Sequence, residues 1–269
     1  MRYFVHISYH GTQYCGWQKQ PGVLNVQGVL EKCLTQVLKI PVAINGCGRT
    51  DAQVHASQFF FHMDIEKEWD FDLIFRLNKV LPANIAVYDV IPMEGLPHAR
   101  FDAVQRSYDY FIHTYKNPFL NNLSSYYLME NLHLDKMKQA VALLPQYTDY
   151  RPFCTSPDKY EHTLCYVKSA RLLVDDSGDR IRFQISSNRF LGKMIRILMG
   201  KLLKIGNGEL SVDEFEGHLI SKQTPRLITP AQPHGLYLSR VIYPYLDLTP
   251  RSTFSAILQN EDEHLWKPV

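Results

Sequence analysis

One short segment of the chain holds residue types that commonly do chemistry. Within residues 46–56, a glycine-rich turn places Arg49 two residues before Asp51, and the apolar run 59–61 follows. Glycines allow a tight backbone path, and a carboxylate in such a turn can meet a ligand while the neighbouring guanidinium keeps it ionised. The alternative is a structural turn in which Asp51 accepts hydrogen bonds from nearby backbone N–H groups.

A second candidate is a basic segment in the last third of the chain. Formal net charge is only +2, but residues 189–207 contain no acid and five bases: Arg189, Lys193, Arg196, Lys201 and Lys204. Apolar spacing predicts a helix over 191–205 whose opposite face carries Lys193, Arg196, Gly200 and Lys204. This face favours phosphate binding, and its glycine would let a backbone or ligand come close. The alternative is an ordinary solvated helix face.

A predicted strand supplies aromatic side chains that could receive an unstacked base. Alternation places Tyr108 and Tyr110 on one face, and Ser107, Asp109 and Phe111 on the other. Aromatic rings beside positive charge suit single-stranded RNA or a flipped base. For Tyr110 we favour a structural role, in a half-buried strand with its hydroxyl at the rim.

The elements that must position these residues follow a repeated order. Strands are predicted over 2–9, 42–47, 55–63 and 85–91, with one helix after Asn25 and another from Asp70 to Lys79. The second half repeats the order. It includes a predicted hairpin of strands over 167–174 and 180–187, a capping box of Ser211 and Glu214, and a last strand over 235–243. The chain is therefore expected to be α+β, with two tandem ferredoxin-like βαββαβ units whose antiparallel sheets flank a central basic cleft. The expected domains are 1–100, which carries the candidate aspartate, 101–245, and a surface tail over 246–269 with acidic residues at 261–263.

Composition excludes several classes of protein. The chain has 269 residues and no run of 18 apolar residues, so no membrane span is expected. No signal peptide is visible at the N-terminus. Five irregularly spaced cysteines favour reduced thiols in a cytoplasmic protein, and no motif indicates a metal site.

Five segments, in order, resemble the TruA family of tRNA pseudouridine synthases. They comprise residues 14–20 with 26–28, residues 48–56, residues 98–103 with 106–110, residues 190–196 with 200–203, and residues 231–238. The resemblance spans residues 3 to about 243, so it covers almost the whole chain.

The resemblance implies an isomerase that converts uridine to pseudouridine at positions 38 to 40 of the tRNA anticodon stem-loop. It implies that Asp51 is the nucleophile, that Tyr108 packs on the flipped uracil and that Arg49 holds the place of the flipped nucleotide. Arg196 would pair with the Asp51 carboxylate, and Leu236 would join Tyr108 in the pocket wall. Lys193, Lys201 and Lys204 are expected to contact the RNA backbone. The resemblance also implies a homodimer in which one tRNA contacts both subunits, and a reaction without a metal or organic cofactor.

Three positions depart from the family pattern. Gln53 stands where glycine is usual, Ser107 replaces an arginine, and Ile197 replaces an asparagine. If the backbone at residue 53 has positive φ, glutamine would be strained there and could reshape the loop.

Two other functions remain open at this stage. The chain could be a non-catalytic RNA-binding protein on the same fold, or a small-molecule enzyme that shares only the fold. The basic segment argues against the small-molecule enzyme. A carboxylate facing phosphates argues against simple RNA binding, because it would repel RNA.

Overall fold

A computed structural model describes residues 1–66, 68–129, 132–223 and 228–249, together with the short strand Lys267–Pro268. In the described residues the strands are β1 (Arg2–Tyr9), β2 (Ile44–Gly46), β3 (His55–Asp64), β4 (Ile85–Met93), β5 (Gln105–His113), β6 (Ser125–Tyr126), β7 (Val167–Val174), β8 (Arg180–Ser187), β9 (Leu236–Ile242) and β10 (Lys267–Pro268). The α-helices of the same residues are α1 (Val26–Leu38), α2 (Leu73–Val80), α3 (Leu134–Leu143), α4 (Met194–Gly206) and α5 (Val212–Ser221). The mixture of strands and helices confirms a mixed α and β fold.

The described residues form two compact units, one of 1–104 with 237–249 and the other of 105–236 with β10. The domain expected over 101–245 includes β9. From Tyr237 onwards it belongs to the first unit, where it pairs in parallel with the start of β3. Of the expected surface tail, β10 instead pairs with β7. The acidic residues at 261–263 lie outside the described residues.

The first unit has the element order β1-α1-β2-β3-α2-β4, and its strands lie in the order β4-β1-β3-β2 with antiparallel pairing throughout. Its core centres on β3, whose three phenylalanines, 59–61, are fully buried. Helix α1 begins at the expected cap, because the Asn25 side chain accepts a hydrogen bond from Gly28 N. Helix α2 is capped by Asp72, whose side chain accepts from Phe75 N, and not by Asp70 as expected.

The second unit is built on a sheet with the strand order β10-β7-β8-β5-β6. The expected hairpin is confirmed as β7 and β8, and the expected capping box of Ser211 and Glu214 is present at α5. Helix α4 is buried around most of its circumference, which marks it as a core helix of this unit. A buried ion pair links β8 to β5, with Arg182 Nε 2.7 Å from Asp109 Oδ1.

Candidate active site

The Asp51 loop joins β2 to β3, and two hydrogen bonds tie the part before Asp51 to the sheet. Cys47 N donates to Phe60 O at 2.7 Å, and Thr50 Oγ1 lies 2.9 Å from the hydroxyl of Tyr9. The turn is closed by the backbone, since Val54 N donates to the carbonyl of Asp51 at 3.2 Å. Asp51 is half-buried and Arg49 is exposed. The loop therefore holds a carboxylate at the surface of the first unit.

The segment before α1 supports the Asp51 loop from behind. Gln53 N donates to Tyr14 O at 3.0 Å, and Trp17 N donates to Thr50 O at 3.2 Å. Between these two bonds lies Gly16, whose φ is +84°, and a Cβ at this position would lie 2.4 Å from Thr50 O. Only glycine allows so close an approach of the two backbones. The first and second family-like segments thus form one structural piece.

An aromatic contact completes this support. The ring of Trp17 stacks on Phe59 with centroids 4.1 Å apart, and it covers Gly46, where a Cβ would lie 2.5 Å from the indole. Burial of rings of this size contributes roughly 2 to 3 kcal/mol each. The loop therefore rests on the core of the first unit.

The backbone at Gln53 has positive φ, at +66°. This is the conformation that the usual glycine at this position suggests. Because the backbone keeps this conformation, the loop has the path that a glycine would give. We expect Gln53→Gly to raise the free energy of unfolding by roughly 0.5 kcal/mol, since relief of the left-handed strain exceeds the entropy that glycine adds to the unfolded chain.

The matched control is Gln53→Val, because a β-branched residue tolerates positive φ poorly. We expect it to lower the free energy of unfolding by about 1 to 2 kcal/mol in urea denaturation. Equal stability of the glycine and valine variants would mean that residue 53 is not strained.

His55 anchors the other end of the loop at the start of β3. Its Nδ1 accepts a hydrogen bond from Gly11 N at 3.0 Å, and its ring stacks on Tyr237 with centroids 4.4 Å apart. Gly11 also packs so closely on Val54 that a Cβ would lie 1.9 Å from the Val54 carbonyl oxygen. Residues on both sides of Asp51 are therefore fixed by packing within the first unit.

In the second unit, Tyr108 is buried on β5 with its ring edge-on to Phe190, at a centroid distance of 5.1 Å and an angle of 80°. Tyr110 lies two residues later and is fully buried. Its hydroxyl was expected at the rim of the strand, but it lies in the interior. Its hydroxyl donates to Gln232 O at 2.6 Å and lies 2.9 Å from Ser125 Oγ, and burial raises its pKa well above the usual value. Tyr110 therefore has the structural role that we favoured, in the interior.

Arg196 lies on the first turns of α4 and is bound to the segment that precedes β9. Its Nε donates to Ala231 O at 2.7 Å, and Ala231 N donates to the Arg196 carbonyl at 2.8 Å. Burial lowers the pKa of His234, and the positive charge of Arg196 lowers it further. Leu236 lies two residues after His234 and is buried. The guanidinium is thus held in place beside the segment that carries Leu236.

The expected basic helix face is only partly correct. Lys193 is exposed and lies before α4 as its N-cap, in a left-handed conformation with φ +60°, and not on the helix. Lys201 is half-buried, and burial followed by the charge of Lys204 lowers its pKa. Lys204 lies 3.9 Å from Glu209, an acid just beyond the segment. This face is therefore not a solvated stripe of free lysines.

Gly200 shows why a glycine interrupts this face. A Cβ there would lie 2.4 Å from the carbonyl oxygen of Thr229, so the expected close approach is made by a backbone. The contact packs the segment that contains Thr229 and Ala231 on α4. It thereby supports the position of Arg196.

Comparisons with known proteins decide the family. A model described as tRNA pseudouridine synthase matches residues 147–244. A tRNA pseudouridine synthase A of Porphyromonas gingivalis is 36% identical over 248 residues, which cover 90% of this chain and 97% of that protein. Those of Bacteroides fragilis and Bacteroides thetaiotaomicron are 38% and 35% identical, over 90% and 97% of this chain and 96% and 99% of their own lengths.

The chain belongs to the tRNA pseudouridine synthase A family. Pseudouridine synthases are isomerases, so the resemblance recognised in the sequence and the enzyme class that it implied are both confirmed. The match of residues 147–244 contains α4, Arg196 and Leu236. Asp51 and Arg49 lie outside that match but inside the region shared with the curated family members.

The structure divides the expected site residues of this family member between the units. Asp51 and Arg49 belong to the first unit. The second contains the other expected residues: Tyr108, Lys193, Arg196, Lys201, Lys204 and Leu236. Within the described residues, no cluster of three or more His, Cys, Asp or Glu could hold a metal ion, and no helix is long and apolar enough to cross a membrane.

The residues that support the Asp51 loop cannot be recognised as such from the sequence. Gly16 and Trp17 lie in a family-like segment, but their spacing gives no sign that they pack against residues more than thirty positions later. The signal that the sequence offers is a glycine beside a tryptophan, shortly before a capped helix. His55 gave only a weak signal, as one histidine among eleven.

Proposed function

We propose that the protein converts uridine to pseudouridine in tRNA, at positions 38 to 40 of the anticodon stem-loop. Family membership supports the reaction and the substrate class. The observation that carries the assignment of Asp51 is its loop, in which packing from both sides fixes a half-buried carboxylate beside an exposed arginine. A loop that served only as a turn would not need a backbone approach as close as that of Gly16.

The reaction defines what the site must do. The N1–C1′ bond of the uridine breaks, the detached base turns, and a C5–C1′ bond forms. C5 then loses its proton and N1 gains one, so the atoms balance and no electrons are gained or lost. The proposed reaction therefore needs no cofactor. Asp51 is the proposed nucleophile, and attack on the sugar, attack on the base and assistance to elimination all remain compatible with a carboxylate.

The other proposed roles follow from the needs of a flipped base. Leaving the stack costs a few kcal/mol, and an aromatic or apolar surface recovers part of it. Tyr108 packs on the uracil, and Leu236 forms another wall that keeps the free base from escaping. Arg49 holds the vacated place in the stem. Arg196 is the proposed partner of the Asp51 carboxylate.

The remaining proposals concern assembly and setting. We propose that the fold is a pair of ferredoxin-like units with a basic cleft, that the protein acts as a homodimer, and that it works in the cytoplasm. The strand order β4-β1-β3-β2 supports the first of these for the N-terminal unit. Light scattering of the purified protein tests the dimer.

The experiment that tests the function is a map of modified uridines. A tRNA transcript is incubated with the purified protein without added metal, and pseudouridines are located by chemical labelling and primer extension. Modification at positions 38 to 40 is the expected result. Modification elsewhere would overturn the assigned positions, and tight tRNA binding without any pseudouridine would favour the non-catalytic RNA-binding alternative.

We expect the lysines around α4 to contribute unequally to tRNA affinity. Lys193 is exposed, so Lys193→Ala should weaken binding a few-fold and lower the slope of log K against log salt by about 1. Lys204→Ala should have a smaller effect because Glu209 lies 3.9 Å away, and Lys201 is already half-buried. Filter binding at several salt concentrations measures both.

The control is Lys138→Ala, which removes an exposed cation from α3 in the same unit. Its slope should match that of the unmodified protein. Equal slopes for the Lys193 and Lys138 variants would show that Lys193 does not contact RNA.

A further inference from the structure

One arginine of the basic segment lies among rings rather than carboxylates. Arg189 Nη1 is 3.3 Å from Nε2 and 3.5 Å from Nδ1 of His162. The guanidinium carbon also lies 5.8 Å from the ring centroid of Tyr160. Nearly equal distances to both histidine nitrogens mean that no single lone pair holds the guanidinium. Within the part of the chain that the structure describes, Arg189 has no carboxylate in ion-pair contact.

Two tyrosines hold the segment on either side of Arg189. The hydroxyl of Tyr160 accepts a hydrogen bond from Gly192 N at 2.9 Å, and a Cβ on Gly192 would lie only 3.1 Å from that oxygen. Tyr166 is 58% exposed, yet its backbone is bound on both sides. Its N–H donates to Asn188 Oδ1 at 2.8 Å, and its carbonyl accepts from Ser187 Oγ at 2.9 Å. These rings are therefore presented on a rigid backbone.

This group lies beside the residue that supports Tyr108. Phe190 follows Arg189 in the chain, and its ring meets Tyr108 edge-on at 5.1 Å. The backbone that fixes Phe190 is the same stretch that Tyr160 holds through Gly192. Arg189 is therefore one residue from the ring that contacts Tyr108.

The chemistry of the group suits a nucleotide. An arginine without a carboxylate partner retains N–H donors that match a phosphate in fork geometry. Exposed rings of histidine and tyrosine offer faces on which bases stack. Two acids lie close to Tyr160 and His162 in the sequence. Asp158 pairs with Arg151, and Glu161 is exposed and adjacent to His162.

We propose that Tyr160, His162, Tyr166 and Arg189 form an RNA-binding surface that holds an unpaired nucleotide flanking the target uridine. Arg189 binds its phosphate, and the exposed rings of His162 and Tyr166 stack on the base. This inference rests on the proposed function, since it names a further part of the same tRNA site. It assigns the surface to substrate binding and not to the chemical step.

The test compares Arg189→Ala with Arg171→Ala, which removes an exposed cation from β7 of the same unit. With a tRNA transcript as probe, we expect Arg189→Ala to raise Kd roughly tenfold and to lower the salt slope by about 1. Arg171→Ala should change Kd by less than about twofold. Arg189→Lys should restore the salt slope but only part of the affinity, because lysine keeps the charge without the planar fork.

Two further variants keep the result interpretable if Arg189→Ala disturbs folding. His162 is exposed, so His162→Ala should fold normally and raise Kd several-fold. Glu161→Gln should tighten binding, because it removes a negative charge beside the proposed phosphate. Equal Kd values for the Arg189 and Arg171 variants, or an unchanged Kd for both His162→Ala and Glu161→Gln, would overturn the proposal.

Activity separates this inference from the proposed function. At saturating enzyme, Arg189→Ala should lower the single-turnover rate of pseudouridine formation by a much smaller factor than it lowers the affinity for tRNA. A rate lost together with normal affinity would assign Arg189 to the chemical step and overturn a binding role. If the unmodified protein forms no pseudouridine, the proposed function fails, while the Kd comparison still decides whether this surface binds RNA.

Discussion

Asp51→Ala is expected to abolish pseudouridine formation and to leave tRNA binding within about threefold of the unmodified protein. The proposed reaction begins with the carboxylate, and Asp51 is the acid assigned to it. Loss of a nucleophile typically removes several orders of magnitude of rate. Binding should persist because phosphate contacts supply most of the affinity for nucleic acid. Removal of a negative charge that faces RNA could even strengthen it slightly.

The comparison that gives this result meaning uses two other variants. Asp51→Asn keeps the size of the side chain and should be as inactive as Asp51→Ala, because an amide cannot act as the nucleophile. Asp70→Asn removes an exposed carboxylate elsewhere in the first unit and should have full activity. Tritium release from 5-tritiated uridine in tRNA measures the rate. Substantial activity in either Asp51 variant would exclude covalent or acid–base work by this residue.

The sequence predicted those parts of the fold that local signals determine. Asn25 is a helix cap because its side chain can accept from a backbone N–H three residues later, and that requires nothing beyond the local chain. The hairpin of β7 and β8 likewise needs only alternation and a glycine-containing turn. The positive φ at Gln53 was also accessible from the sequence, through the glycine that the family pattern has there.

Other features depend on partners far along the chain, so spacing alone could not predict them. Alternation put Asp109 on the face opposite the tyrosines, but nothing local indicates that Arg182 on another strand neutralises it in the interior. Tyr110 looked like a rim residue because its hydroxyl needs a partner, and Gln232 provides one more than a hundred residues later. The apolar spacing predicted a helix that includes Lys193. The backbone at Lys193 is left-handed, so α4 begins one residue later, at Met194.

Gly16→Ala is the substitution that most directly tests whether the first family-like segment positions the nucleophile. A Cβ at residue 16 would lie 2.4 Å from the carbonyl oxygen of Thr50, the residue before Asp51, and the backbone there has φ +84°. The contact is between two backbones, so no side chain can rotate away and the loop itself must move. Displacement of a catalytic group by about 1 Å can cost on the order of 100-fold in rate. We therefore expect the single-turnover rate to fall by about that factor, while the Kd for tRNA changes little.

Gly22→Ala separates this displacement from the conformational cost of alanine. Gly22 also has positive φ, at +74°, but a Cβ there would meet nothing within 4 Å. Both variants therefore lose about 1 kcal/mol of stability from the left-handed backbone, and thermal denaturation should show a similar loss from this cause. Only Gly16→Ala should also lose the activity, because only there does the new methyl group press on the loop of Asp51. If both variants keep full activity, the close approach of residues 16 and 50 does not position the nucleophile, and the support assigned to this segment is wrong.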